Sequence, residues 1–434
     1  MRRYYTISCL IGILVLGPVL QLTAQAPISD EWKVESQRDE ITPQCWQDDQ
    51  VRYNGASTLA LAGDGRQYAD GCWTRTVPVE PNTYYRIRTH FQARNVDEPH
   101  RSVFARLLWQ DDAGELLGRA EYPRTVRDVQ SDGWQLIEQI YQSPPQAAQA
   151  KLELVYRWDA DGTVYFESAT LEEVSEPEPR IVRLGAIHYR PRHDRTLREN
   201  LDHFAILIAR AAEQEADIVC LPEGITLAGT QKTYVEVSEK VPGPTTEYLG
   251  NVAREHSLYI VAGVLEREGA AVYNTAVLLD RDGNLAGKYR KVCLPREEYD
   301  GGIAPGKSFQ TFDTDFGRIG IMICWDVFFP GPARTLALDG AEVILLPIWG
   351  GNLTLARARA IENQVYLVSS TYDMKTGIFD LEGSLMAEGT EENPVAVVEV
   401  DLNKKKDWPW LGDFKNRIPR ELPPREALWH GSER

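Results

Sequence analysis

Apolar and polar positions alternate repeatedly from Asp30 to Val174. Tyr85, Ile87, Thr89 and Phe91 fall on one face of an extended segment, as do Leu152, Leu154, Tyr156 and Trp158. Turn-forming residues separate such runs at Pro81-Asn82, Asp112-Ala113-Gly114, Ser131-Asp132-Gly133, Pro144-Pro145 and Asp161-Gly162. No amphipathic helical repeat interrupts them. The spacing predicts many short antiparallel strands packed as an all-β sandwich.

The period changes after Ser175-Glu176-Pro177-Glu178-Pro179, a polar, proline-bearing stretch that reads as a linker. Residues 181–188 predict a strand. Thr196-Leu197-Arg198-Glu199 has capping-box form, and Leu197, Leu201, Phe204, Ile208 and Ala211 recur at helical spacing. Residues 217–221 predict a buried strand. Strand and helix then alternate through 258–265, 318–323, 332–338, 343–346, 353–363 and 365–370, with hairpin turns at Asp282-Gly283 and Glu382-Gly383. Such alternation predicts sheets covered by helices. The expected organisation is a leader at 1–26, a β-sandwich unit at 27–174, a linker at 175–180, an α/β unit at 181–405 and a tail at 406–434.

Arg2 and Arg3 precede an apolar stretch from Ile7 to Leu20, and Ala24-Gln25-Ala26 follows as a small-x-small cleavage pattern. The stretch is broken by Gly17-Pro18 and is shorter than the ~20 residues of a spanning helix. It predicts an export signal and a periplasmic or secreted protein. A formal charge of −17 argues against nucleic acid or an anionic membrane surface as partner. The basic run Lys404-Lys405-Lys406 lies beside Asp401 and Asp407 and reads as a solvated turn. In an oxidising compartment Cys45 and Cys72 could pair. Cys220, Cys293 and Cys324 make an odd count in the second unit, so at least one thiol stays free unless it pairs across units.

Three reactive side chains sit just past β-like apolar runs: Glu223 in DIVCLPEG, Lys291 in GKYRKVCLP and Cys324 in GRIGIMICWD. Cleaving an amide through a thioester needs a nucleophile, a base for its proton and positive partners for the oxyanion. At an ordinary thiol pKa of about 8.5, only a few per cent of a cysteine is thiolate at pH 7, so a neighbouring base matters. Taken singly, each residue has a plainer reading: Glu223 a helix cap, Lys291 a surface charge, Cys324 a buried apolar filler.

Together, the three stretches resemble the signature segments of the nitrilase superfamily of carbon–nitrogen hydrolases, and the resemblance runs with interruptions from Ile181 to Leu402. It implies a four-layer αββα sandwich, a homodimer and no cofactor. It also implies Cys324 as nucleophile, Glu223 as base, and Lys291 with the backbone N–H of Trp325 as oxyanion hole. A second glutamate is expected shortly after the lysine. Glu298 is preferred over Glu297, and Glu297 and Trp349 are candidate substrate contacts. The chain departs from the pattern at Cys293, where the family often has His, and at Gly331 after Phe329-Pro330. Arg334, Glu362 and Asn363 read as architectural. Cys324-Trp325-Asp326 differs from the Cys-Trp-Glu common in nitrilases proper. An exported hydrolase of a linear amide or N-carbamoyl bond is therefore preferred to a nitrilase, an amide-forming acyltransferase or an inactive glycan-binding protein.

The segments GCWTRTVPVEPNTYYRIRTHF, DGWQLIEQIY and GTVYFESATLEEV resemble a galactose-binding-like or carbohydrate-binding jelly roll, which implies a possible glycan ligand. Trp32, Trp46, Trp73, Trp109, Trp134 and Trp158 could stack on sugars or fill a core; Trp109 and Trp158 are in phase with apolar neighbours and read as core. None of the seven histidines lies in a cysteine-protease context. His188 and His193 lack the i, i+4 spacing of common zinc sites, so no metal is expected.

Overall fold

The computed structural model describes residues 31–126, 132–408, 410 and 412–423. The expected leader at 1–26 lies outside the described residues. In the first part of the chain, strands Lys33–Glu35, Asp70–Pro78, Gln149–Arg157 and Val103–Gln110 form one antiparallel sheet in that order. A second antiparallel sheet runs Gln44–Tyr53, Ala56–Ala62, Thr163–Phe166, Tyr84–Arg94, Gln135–Gln142, Thr125–Val126, and Thr170–Val174 also pairs with Tyr84–Arg94. Their inner faces share one core, in which Leu59, Ile87 and Phe91 meet Leu107, Leu152 and Tyr156. The alternation that predicted the strands also sorts their faces: Tyr85, Ile87, Thr89 and Phe91 are buried. The helical pieces described here are short, a 3-10 turn at Asp39–Ile41 and a single α-helical turn at Pro99–Ser102.

One expectation fails in this part, and a pairing that the sequence left open is not made. Trp158 is not core: it is 47% exposed, at φ 58° just past the last strand residue, with the Arg157 guanidinium 3.7 Å over its ring. The ladder ends at the Asp70–Arg157 pair, and the Asp159 carboxylate takes the Gly162 N–H at 2.7 Å to turn the chain. Cys45 and Cys72 are free thiols. They lie on different sheets, and Cys72 packs with Phe104 and Val155 on the face opposite its neighbour Trp73, away from the shared core. Trp32, Trp73, Trp109 and Trp134 are buried, so packing accounts for four of the six tryptophans.

From Ile181 onward two six-stranded sheets face each other. The first runs Leu285–Arg290, Ala271–Leu279, Tyr259–Glu268, Ile218–Cys220, Ile181–Ile187, Val395–Asp401. The second runs Thr311–Asp313, Arg318–Ile321, Val343–Ile348, Tyr366–Thr371, Thr376–Phe379, Leu385–Gly389. In each, three central strands are parallel and the flanking ones antiparallel. Leu184, Ile218 and Val261 of one sheet share a core with Ile319, Ile321 and Leu345 of the other. Such central strands, covered on both sides, read as continuous apolar runs rather than alternations.

Helix Leu197–Ala212 packs on the first sheet through Leu201, Phe204 and Ile208, beside Pro244–His256. Its start is the expected capping box: Glu199 N–H donates to Thr196 Oγ1, and Thr196 N–H to the Glu199 carboxylate. Leu197, expected on the buried face, is 41% exposed and stands outside the core that Leu201, Phe204 and Ile208 share. Helices Pro330–Leu338 and Leu353–Asn363 lie against the second sheet, burying Ala333, Leu336, Ala356 and Ala360.

Residues 412–423, within the stretch expected as a C-terminal tail, pack against both halves. Lys415 Nζ donates to the Ala341 carbonyl at 3.4 Å, and Asn416 reaches Gln139. The Arg420 guanidinium lies 3.9 Å over the Tyr122 ring. Nor is the lysine run merely solvated, since Lys405 pairs with Asp413 and Lys406 with Glu382.

Candidate active site

Three chain segments deliver the reactive groups to one point. Strand Ile218–Cys220 is held on both sides by parallel neighbours and runs out through Leu221-Pro222 to Glu223. Gly224 then turns the chain at φ 56°, a conformation glycine adopts without strain. The adjacent strand must also be bare here, because a Cβ on Gly263 would lie 2.6 Å from the Glu223 Cα. Lys291 follows strand Leu285–Arg290, and its N–H donates to the Asn274 carbonyl.

Cys324 follows strand Arg318–Ile321 and opens the tight turn Cys324–Phe328 at φ 41°. A non-glycine residue in this region costs about 1–3 kcal/mol and persists only where its surroundings impose it. Asp326 imposes it here. Its Oδ2 accepts from Ile323 N–H and the Tyr289 hydroxyl, and its Oδ1 accepts from Cys293 N–H. One buried carboxylate thus ties the cysteine's turn to the lysine's loop.

Lys291 is 1% exposed, with Nζ 2.9 Å from Glu223 Oε1 and 2.7 Å from Glu298 Oε1. Asn274 Nδ2 donates to the same two oxygens, at 2.7 and 2.8 Å. Trp349 N–H donates to Glu223 Oε2 at 2.8 Å, and the Tyr372 hydroxyl to the Glu223 carbonyl. The Cys324 thiol donates to the Gly350 carbonyl at 3.4 Å. Glu223, Asn274, Lys291, Glu298 and Cys324 all line one cavity of about 280 Å³. Its remaining wall comes from Leu227, Tyr234, Leu265, Pro295 and Trp349, with exposed Glu297 at the mouth.

Burial, and then the Glu223 carboxylate, push the Cys324 thiol up to about 12, so it rests protonated. Burial alone would depress the Lys291 ammonium, but the Glu223 and Glu298 carboxylates hold it above its ordinary value. Burial raises Glu298, with Lys291 opposing. Two acceptors in this cluster, Glu298 Oε2 and Asn274 Oδ1, are buried without a hydrogen-bond partner. Such atoms are costly unless something that binds there supplies N–H or O–H groups.

Among the residues expected from the sequence, Glu223, Lys291, Glu298 and Cys324 come together. Glu297 and Trp349 line the same cavity. Trp325 is second in the cysteine's turn, and its ring stacks on Phe328 rather than facing the cavity, so any part it plays falls to its backbone N–H. Asp326, which set this chain apart from nitrilases proper on paper, is a buried structural tie and does not line the cavity. Arg334 and Asn363 bond to the carbonyls of Glu362 and Arg359, and Glu362 pairs with Arg359.

Asn274 escaped sequence reading. The signal was present: one amide inside the apolar strand Ala271–Leu279, where a buried polar group needs partners. The loop 226–240 contributes Leu227 and Tyr234 to the cavity wall, and 350–355 contributes the Gly350 carbonyl beside the thiol.

The profile of the family described as Carbon-nitrogen hydrolase matches residues 183–409. A nitrilase of Pyrococcus abyssi (strain GE5 / Orsay) is 40% identical over 219 residues, spanning 45% of this chain and 81% of its own. The omega-amidase NIT2 of Homo sapiens is 34% identical over 259 residues, spanning 53% of this chain and 91% of its own. A crystal structure of a carbon-nitrogen hydrolase from Helicobacter pylori G27 covers 58% of this chain and 97% of its own, with a TM-score of 0.47 and 21% identity.

Proposed function

The chain belongs to the carbon–nitrogen hydrolase family, a hydrolase of carbon–nitrogen bonds other than peptide bonds, and from that premise we propose that it cleaves linear carboxamides, or the related N-carbamoyl group, through a thioester on Cys324. The observation that carries the choice of amide is the pair of unpartnered buried acceptors, Glu298 Oε2 and Asn274 Oδ1. A carboxamide brings two N–H donors to such a site; a nitrile brings none.

Because the thiol rests protonated, attack on the carbonyl has to coincide with loss of its proton. Glu223 is the acceptor, with both carboxylate oxygens already held by Lys291, Asn274 and Trp349. The Lys291 ammonium and the Trp325 N–H receive the oxyanion. Glu223 then returns the proton to the departing amine. A water deprotonated by Glu223 attacks the thioester, releasing the acid and restoring the thiol. Glu298 holds Lys291 beside Glu223 and receives the amide nitrogen together with Asn274.

The same reading takes the two facing six-stranded sheets and their outer helices as an αββα sandwich, two copies of which pair as a homodimer. The first part of the chain is an accessory jelly roll, and 1–26 directs export to the periplasm or beyond. Ammonia release from a panel of primary amides, with mass spectrometry for an acyl adduct on Cys324, tests the chemistry. Turnover with amides and none by the Cys324→Ala variant is expected; conversion of nitriles alone would overturn the reading.

A further inference from the structure

Resting on that amidase reading, the charges around the cavity bear on what the far end of the substrate carries. Its lining holds three carboxylates, Glu223, Glu297 and Glu298, against one ammonium, Lys291. Lys291 is committed to Glu223 and Glu298 at 2.9 and 2.7 Å and has no side-chain exposure. Glu297 differs from the other two acids. It is exposed at the mouth, and among the described residues its carboxylate makes no ion pair, while the neighbouring Arg296 turns to Asp300. Between mouth and floor the wall is apolar, with Leu227, Leu265 and Trp349. Arg190, whose guanidinium lies 5.8 Å from the Trp349 ring, is paired with Asp373.

We propose that Glu297 is a specificity-determining residue that favours amides whose far end is positively charged and turns away those ending in a carboxylate. An anionic tail would leave water for an apolar wall, facing surplus carboxylates and no uncommitted cation in the lining, so desolvation and repulsion act together. A cationic tail meets Glu297 at the mouth, where water screens the pair. That screening sets the size of the effect at about fivefold in kcat/KM for each step of charge. The chain's net charge of −17 adds a field of the same sense.

The test is kcat/KM for three amides of matched length, pentanamide, 5-aminopentanamide and glutaric acid monoamide, on the wild type and on Glu297→Gln and Glu297→Lys. The wild type is expected to prefer 5-aminopentanamide over the monoamide by about 25-fold, the two charge steps combined. Glu297→Gln should compress that ratio and Glu297→Lys should invert it. Preference for the monoamide, or a ratio that stays the same in all three proteins, overturns the proposal while leaving the amidase reading intact. Failure of the folded wild type to hydrolyse any of the three removes both.

Discussion

Replacing Lys291 with Met takes the cation out of a buried cluster and leaves two carboxylates, Glu223 and Glu298, sharing one Asn274 amide, with only the Trp349 N–H besides on Glu223. Breaking a buried pair by removing one partner costs about 3–5 kcal/mol, because the remaining charge has no compensation. Here two acids are stranded, so the upper part of that range is expected at pH 8. The deficit should shrink in acid. Burial already raises Glu298, and without Lys291 the pair must hold a proton more tightly folded than unfolded, where a glutamate titrates at about 4.3. A raised folded value means that stability is fully present below the unfolded value and is lost as pH rises through the folded one. The deficit against wild type should therefore be smaller near pH 4 than at pH 8. Urea melts followed by tryptophan fluorescence at both pH values measure it, and adding Glu298→Gln should recover part of the loss at pH 8. A Lys291→Met protein as stable as wild type at pH 8, or one whose deficit ignores pH, would refute the account of the cluster.

Alkylation of Cys324 by iodoacetamide should be slow at pH 7 and still climbing at pH 10, as expected for a thiol pushed up to about 12; a plateau near neutrality would contradict this. Asn274→Leu should lower kcat/KM by about 10²-fold with a smaller loss of stability, since it frees both glutamates from a shared donor; steady-state kinetics beside a thermal melt separate the two effects. Gly263→Ala should displace Glu223, because the new methyl would lie 2.6 Å from its Cα, and lower kcat at least tenfold; unchanged kcat would show that the strand yields at no cost. Arg420→Ala should speed proteolytic cutting near 412–423 by removing the guanidinium from the Tyr122 and Phe104 rings, as followed by limited trypsin digestion.

The reactive acid, amine and thiol were legible because their three stretches together resemble one family's signature segments; Glu223 and Cys324 also follow apolar runs, which place what comes after them at a strand end. What joins them was less so. Asn274 sits in a strand whose other residues explain themselves by burial, and nothing local marks its side chain as the bridge between two glutamates. Asp326 reads as a substitution in a motif, whereas in space it knots two loops through three hydrogen bonds. Trp158 keeps the alternating phase of its strand on paper, but phase cannot say where a ladder loses its partner. The segment 412–423 lacks a periodic apolar face, so its docking through Arg420, Lys415 and Asn416 was invisible to pattern.

That docking has a bearing on biogenesis. Residues 412–423 are translated only after both halves they grip, so each half can reach its own packing before the clasp exists. Joining the halves is then a late event, and lesions in the clasp should yield two well-folded bodies with a loosened hinge rather than an unfolded polypeptide.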